Sequence, residues 1–473
     1  MRFKSLVVGE GANLGFTQKA RVEYALHGGR INTDAVDNSA GVDTSDHEVN
    51  LKILLAKLHK AQLIEDYQSL FIKLTDAVCH AVLVDNYAQS LCLSLEQRRN
   101  ADNPALFIQV AERLEAAGYL DRAVESFPLT DEIQARPGQT LTRPELAVLM
   151  SAAKMYLTQQ LESKTDKLAK PCYEHYLQVY FPAEFREQFG AHLSGHPLAH
   201  EIKATVISNA LINQCGCGFL SLGDNGNGQL MAYVDAYLTF DKILQAEALR
   251  DAIYCLDNSI PAEHQYRLLL ELEQTLSEFC HWSVAHKAGL HPDCETINTY
   301  RRLLDDYRGY LEQHASDALV AKIQHYQAEG APKSLAESLA LISQCADFPF
   351  MALLVNETGQ DFVRIGLTVH DVRKTLNIED ITRQLAQTPL RDYWVRAVCT
   401  TLQADIERYT ALLAKQILYH EADNCAGYLQ RHADQAALKR YRKIYLENSK
   451  TNPVNLLAYV VLVRALGDVV VIM

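Results

Sequence analysis

The pattern of hydrophobic and polar residues changes character at about residue 50. Before that point an apolar run, Ser5-Leu-Val-Val8, precedes a glycine-rich turn and then a helix-like stretch over residues 17–27. The run predicts a buried strand, and Gly28 suits the left-handed end of a helix. With residues 30–33 as a second strand, the first fifty residues have the pattern of a βαβ unit.

After about residue 45 the pattern is helical. Serine or threonine stands three residues before glutamate in Ser45-Asp-His-Glu48, Thr142-Arg-Pro-Glu145 and Ser334-Leu-Ala-Glu337, which predicts three helix starts of the capping-box type. Pro261 is expected to open another helix, because apolar residues recur after it at helical spacing. Residues 37–43 are predicted to be a glycine-containing turn, and residues 224–228 a loop.

Composition supports a mostly helical chain. Gly 22 and Pro 13 together make up roughly 7% of 473 residues, where about 12% is usual, so few short strands need turns. Two short strands cannot form a stable sheet by themselves. We therefore expect a mostly α fold: a truncated α/β (Rossmann-like) remnant at the N-terminus, cut from a larger domain, followed by a large α-helical region. The expected domains are residues 1–60, 61–222 and 223–473.

Charge and cysteine content restrict the partners and the compartment. The formal net charge of −13 repels phosphate backbones, which argues against nucleic-acid binding. The apolar C-terminal stretch is interrupted by Arg464 and Asp468, which favours a buried helix or strand over a membrane span. Eleven cysteines without a C-x-x-C pair indicate reduced thiols, and the first residues lack the core of a signal peptide. We expect a cytoplasmic protein.

One glycine pattern and two histidine patterns have ambiguous or negative interpretations. Gly9-x-Gly11 with Gly15 is one residue longer than the dinucleotide pattern G-x-G-x-x-G, although Asp34 stands about where a ribose-binding acid would. The alternative is a glycine turn that lets the backbone approach another group closely. His47-Glu48 begins a zinc pattern whose second histidine is missing, and histidines 281 and 286 lie about 140° apart on a helix. No metal site is predicted.

Three N-terminal segments together closely resemble the very large bacterial NAD-specific glutamate dehydrogenases. They are Val8-Gly-Glu-Gly-Ala-Asn-Leu-Gly15, Gly28-Gly-Arg-Ile-Asn-Thr-Asp34 and Asp37-Asn-Ser-Ala-Gly-Val-Asp-Thr-Ser-Asp-His-Glu-Val-Asn50. The resemblance continues through Leu120-Asp-Arg-Ala123, Leu141-Thr-Arg-Pro-Glu-Leu-Ala-Val148 and Leu256-Asp-Asn258. It covers essentially the whole chain and is most specific in the first fifty residues.

Two of these segments also resemble motifs of the smaller, hexameric glutamate dehydrogenases. Residues 10–13 match an E-G-A-N turn near the nicotinamide ribose of NAD, and residues 38–45 match an N-A-G-G-V-A-T-S segment. The resemblance implies NAD contacts from Gly11, Ala12, Asn13 and Asn38, and a pocket for the side-chain carboxylate of glutamate at Val42 and Ser45. A serine at a helix N-terminus would also offer backbone amides to an anion. Asp43 and Asp46 depart from the pattern, because like charge would weaken glutamate binding unless both point away.

The reaction implied by the resemblance is NAD-dependent oxidative deamination of L-glutamate to 2-oxoglutarate and ammonium. In that family the catalytic lysine and aspartate lie upstream of these segments, so no catalytic residue is expected in this chain. We expect the C-terminal portion of such an enzyme, completed by an upstream catalytic part, forming a homo-oligomer and inactive alone. The alternatives are a stand-alone α-helical interaction or regulatory module without catalysis, and another nucleotide-binding dehydrogenase.

Overall fold

The structure is a computed structural model that describes residues 4–11, 13–223, 229–313, 317–386, 388, 393–448 and 455–471. Its described part is mostly helical and contains a two-stranded parallel sheet. The mostly α prediction is therefore confirmed, whereas a Rossmann-like sheet is not. The loop predicted at residues 224–228 lies outside the described residues.

The elements follow one another along the chain as follows. The strands are β1 Val7–Val8 and β2 Arg30–Ile31. The helices from the N-terminus to the middle are α1 Gln18–Leu26, α2 Asp34–Asp37, α3 Ser39–Lys60, α4 Tyr67–Lys73, α5 Thr75–Asp102, α6 Pro104–Ala116, α7 Thr130–Gln134, α8 Arg143–Glu162, α9 Thr165–Leu168, α10 Glu174–Tyr180, α11 Ala183–Phe189, α12 Ala199–Cys215 and α13 Leu230–Leu244. The remaining helices are α14 Ala246–Tyr254, α15 Ala262–Ala285, α16 Cys294–Gln313, α17 Asp317–Ala328, α18 Lys333–Ser343, α19 Phe348–Thr358, α20 Phe362–Thr375, α21 Ile378–Ala386, α22 Tyr393–Tyr419, α23 Cys425–His432, α24 Gln435–Asn448 and α25 Leu456–Val471.

The predicted βαβ unit forms at the N-terminus. β1 and β2 are parallel, with Val7 opposite Arg30, and α1 lies between them in sequence. Thr17 caps α1 by accepting a hydrogen bond from the amide of Ala20, and Gly28 after the helix has a φ of +88°. The prediction of a buried first strand is wrong, because Val7 is 63% exposed. With a single neighbouring strand, β1 has too little structure around it to be covered.

The third helix begins earlier than the sequence predicts. Residues 39–43, expected to form a turn, are the first residues of α3, and Ser45 lies in its second turn. The Ser45 hydroxyl donates to the carbonyl of Gly41, so the predicted cap at Ser45 is wrong. Gly41 permits the early start, because a Cβ there would lie 2.9 Å from Oδ1 of Asn38.

Of the other three predicted helix starts, two are confirmed and one is wrong. Thr142 caps α8, and its amide donates to Oε2 of Glu145 at 2.7 Å, which confirms the capping box. α15 begins directly after Pro261, as predicted. The predicted cap at Ser334 is wrong, because α18 already begins at Lys333, after Pro332. The fixed φ of proline suits the residue at a helix start, so Pro332 moves the start upstream.

Contacts divide the chain into two compact units. The first comprises Met1–Leu238, Pro261–Glu273 and His291–Cys294. An apolar cluster in it joins leucines of α3 to Phe181, which follows α10, and to Phe185 and Phe189 of α11. The second comprises Thr239–Ile260, Gln274–Leu290 and Glu295–Met473, and packs α22 against α20 and α25. α25 confirms the predicted buried C-terminal element. The domain division at residues 60 and 222 stays a prediction.

None of the helices in the described residues is by itself long and apolar enough to span a membrane. The helices α18 and α19, which meet at a bend of 67°, have that length and apolar composition only when they are taken together.

Candidate functional site

A buried ion pair holds the turn after β1. The carboxylate of Glu10 accepts two hydrogen bonds from the guanidinium of Arg21, at 2.6 and 3.0 Å, and both residues are only 4% exposed. The other oxygen of Glu10 accepts from the amides of Gly15 and Phe16. Each Glu10 oxygen thus has a donor inside the protein, so this carboxylate shapes the turn and is not free for a ligand.

Asp34 fixes the glycine-rich turn from its other side. Its carboxylate accepts from the amide of Leu14 at 3.0 Å and lies 3.3 Å from Arg21. Burial raises the pKa of Asp34, but the Leu14 hydrogen bond and Arg21 outweigh burial and leave the pKa lowered. Asp34, which stands where a ribose-binding acid would, therefore already has partners in the turn. Asn13 and Leu14 adopt left-handed φ values of 54° and 55°.

Two residues predicted to contact NAD lie side by side. Nδ2 of Asn38 donates to Oδ1 of Asn13 at 3.1 Å, which links the turn after β1 to the start of α3. Gly11 is exposed on the same turn, and Ala12 lies outside the described residues. The free amide groups of the asparagine pair retain donor and acceptor capacity for a carboxamide-bearing ligand.

Beside this pair is a cavity of about 530 Å³, here called the acidic cavity. It contains three of the predicted site residues, Asn13, Asn38 and Val42, whereas Ser45 and Gly11 are not in its lining. Its full lining is Asn13, Leu14, Asp34, Ala35, Asn38, Ser39, Val42, Asp43, Asp46, Asp85, Gln89 and Asn209.

The structure removes the physical argument for Ser45 as an anion ligand. Ser45 is exposed and lies in the interior of α3, where backbone amides already bond within the helix. Val42, in contrast, is 73% exposed and presents its apolar side chain at the cavity. The substrate-binding roles of both residues stay predictions, and that of Ser45 now depends on the resemblance alone.

Both aspartates that depart from the hexameric pattern face the acidic cavity. Asp43 and Asp46 line it together with Asp85 from α5. Burial, followed by repulsion from Asp46, raises the pKa of Asp43 to about 6. Burial and the charge of Asp43 likewise raise the pKa of Asp85. With Asp34, which lies beside Arg21, four carboxylates line this cavity, and such an arrangement favours a cation and opposes an unassisted anion.

Two further ionisable groups act on these carboxylates. His47, on α3, is buried and stacks on Tyr180 at 4.4 Å, and burial lowers its pKa. Lys154, on α8, is close enough to stabilise the charges of Asp43 and Asp85, and burial lowers its pKa to about 8. The sequence analysis missed the site roles of Asp85 and Lys154, because only tertiary packing brings α5 and α8 to α3.

A second cavity, of about 740 Å³, adjoins the carboxyl ends of β1 and β2. Parallel strands usually bind ligands at that end. It is lined by Gly9 and Asn32, each the first residue after a strand, and by Arg143 in the first turn of α8. Arg143 donates to Asn32 at 2.5 Å and to the carbonyl of Ser90 at 2.9 Å, so it fastens the βαβ unit to α5. The sequence pointed to Arg143 only as part of a capping box.

Comparisons with known proteins find similarity to glutamate dehydrogenases along most of the chain. A family model of the C-terminal region of glutamate dehydrogenases matches residues 138–468, and one of the catalytic domain of bacterial NAD-glutamate dehydrogenases matches residues 1–96. An NAD-specific glutamate dehydrogenase of Pseudomonas aeruginosa is 31% identical over 98% of this chain and 29% of its own length. Those of Halomonas elongata and Mycobacterium tuberculosis are 30% and 28% identical over 87% and 85% of this chain, and 26% and 25% of their own.

Proposed function

Because this chain belongs to the family of bacterial NAD-specific glutamate dehydrogenases, we propose that it serves the NAD-dependent oxidative deamination of L-glutamate to 2-oxoglutarate and ammonium. In this proposal the cofactor carries the hydride, and the protein supplies orientation and electrostatics. The chain spans about 29% of the length of its Pseudomonas relative, so it contributes part of the enzyme's residues.

The observation that carries the proposal is the Asn13–Asn38 pair at the rim of the acidic cavity. The pair joins the two segments that match hexameric glutamate dehydrogenases, although 25 residues separate them in sequence. We propose that Gly11, Ala12, Asn13 and Asn38 contact the nicotinamide half of NAD, and that Val42 and Ser45 lie near the substrate.

Proton transfer and water activation need groups that this proposal assigns to other parts of the enzyme. No lysine is among the residues that line the acidic cavity in the described part of the chain. We propose that an upstream catalytic part supplies these groups, and that the complete enzyme is a cytoplasmic homo-oligomer. Eleven free cysteines are consistent with that compartment.

NAD⁺ binding to the purified chain tests the proposal. Saturation-transfer NMR should detect weak binding through the nicotinamide protons, with the signal reduced at least about fivefold in Asn38→Ala. Asn298→Ala, which changes an exposed asparagine of α16, should leave the signal unchanged. A signal equal in all three proteins would contradict the assigned site.

Glutamate-dependent NADH production, measured by absorbance at 340 nm, tests whether the catalytic groups lie outside this chain. The purified chain alone should show none. If the chain neither binds NAD⁺ nor gains activity with an added upstream catalytic part, a helical interaction or regulatory module becomes the better description.

A further inference from the structure

Three potential metal ligands converge where α3 packs on α5. Asp43 and His47 are four residues apart and thus lie on one face of α3, and Asp85 projects from α5. One ligand atom from each lies within 4.8 Å of the other two, and Nε2 of His47 is 3.8 Å from Oδ1 of Asp43. Ligands of one metal ion at bonds of about 2.1 Å are ~3–3.5 Å apart, so small side-chain movements would close the set.

Of the potential ligands His47 is buried and the two aspartates are half-buried, and the protein itself satisfies them poorly. The His47 side chain is 5% exposed, and its 3.8 Å contact to Asp43 is too long for a hydrogen bond. Oδ2 of Asp43 is fully enclosed and accepts no hydrogen bond from any described residue. Buried polar atoms nearly always have partners, so this donor set has the character of a ligand site.

Local charge also favours a bound cation. Asp46 adds a further carboxylate beside Asp43 and Asp85, and Lys154 is the cationic side chain that acts on the cluster. Lys154 forms no ion pair within 4.0 Å of Asp43 or Asp85 in the part of the chain that the structure describes. One ammonium opposite the carboxylates of Asp43, Asp46 and Asp85 leaves excess negative charge beside the acidic cavity.

We propose that Asp43, His47 and Asp85 bind one divalent transition-metal ion, of the class of Mn²⁺ or Zn²⁺, at the acidic cavity. Two carboxylate oxygens and one imidazole nitrogen suit these ions better than Ca²⁺ or Mg²⁺, which take oxygen ligands. Three protein ligands leave positions open toward the cavity, where water or an anionic oxygen can bind. The site does not depend on the proposed dehydrogenase role.

Titration of the purified chain with Mn²⁺ tests the site. Binding is measured as the decrease of the EPR signal that the free ion gives. We expect one saturable site per chain, weakened at least about tenfold in Asp43→Asn and in Asp85→Asn. Asp46→Asn is the matched control, because it removes the same charge from the same cavity without removing a ligand. It should weaken binding by no more than about threefold.

X-ray absorption of the Zn²⁺-loaded chain keeps the test decisive if one variant fails to fold. The spectrum should contain one imidazole per zinc, and this contribution should disappear in His47→Gln. The absence of saturable binding of either ion would overturn the proposal. Equal losses in Asp46→Asn and Asp85→Asn would also overturn it, because they would indicate only diffuse electrostatic attraction.

Discussion

Two clusters of buried charge lie within the first ninety residues, and they differ in how far the protein neutralises them. In the Glu10–Arg21 cluster each carboxylate oxygen accepts hydrogen bonds from a guanidinium or from backbone amides. In the Asp43–His47–Asp85 cluster an oxygen is left without a donor, and like charges are adjacent. The first cluster determines the conformation of a turn, whereas the second retains the capacity to bind a cation.

The difference explains why similar residue types have different roles in one unit. A satisfied buried ion pair is costly to break but offers nothing to a ligand. An under-compensated cluster lowers the stability of the folded chain unless a cation binds, which is a common property of functional sites.

The largest expected effect comes from breaking the satisfied cluster. Arg21→Met should lower the free energy of unfolding by about 3–5 kcal/mol, because Glu10 stays buried without its cation. Urea denaturation measures the change. Lys333→Met, which removes a partner of an exposed ion pair with Glu337, is the control and should have almost no effect. Equal effects of the two substitutions would show that the Glu10–Arg21 pair is not structural.

In the second unit, Glu407 is a poorly compensated carboxyl group like Asp43, and its effect on stability depends on pH. Burial and Asp347 raise the pKa of Glu407 from 4.5 to about 7, against the lowering effect of Arg373. The folded state therefore holds the proton more tightly, and this contribution is complete below pH 4.5 and is lost as pH rises through 7. Glu407→Gln should stabilise the protein at pH 8 by at most about 3 kcal/mol and have little effect at pH 4.5.

Exposed Glu447→Gln is the matched control for Glu407→Gln. Its effect on the free energy of unfolding should be small and should not grow between pH 4.5 and 8. If Glu407→Gln also has a small effect that does not grow with pH, the folded protein does not raise the pKa of Glu407. The comparison between satisfied and unsatisfied carboxylates then loses its support from the second unit.

The smallest effects concern two of the three capping-box patterns. Thr142→Ala should cost about 1 kcal/mol, because Thr142 caps α8, whereas Ser45→Ala should change stability by less than about 0.5 kcal/mol. Thermal unfolding of both variants measures the difference. A larger cost for Ser45→Ala would indicate that α3 begins at residue 45 after all.

Local signals in the sequence predicted much of the N-terminal unit. The helix-like stretch over residues 17–27, Gly28 at its end and the Thr142 capping box depend on a few neighbouring residues each, and the structure confirms their placement. The family resemblance assigned Asn13 and Asn38 to one cofactor site, but the hydrogen bond between them was not predicted.

The remaining features depend on interactions that no local pattern encodes. A serine three residues before a glutamate fits a helix start and an exposed helix face equally well, so Ser45 was misplaced. Asp43 and His47 have the four-residue spacing of a shared helix face, but Asp85 joins them only because α5 packs on α3. The raised pKa of Asp43, caused by burial and Asp46, likewise follows from packing.

The most direct test of the contrast is the stability of wild type and Asp85→Asn, measured in EDTA and in saturating Mn²⁺. In EDTA the variant should be more stable, by about 1 kcal/mol, because a like charge is removed from the acidic cavity. In Mn²⁺ the order should reverse, since ligand binding stabilises only the protein that holds the ion. The same order of stability in both buffers would contradict the account.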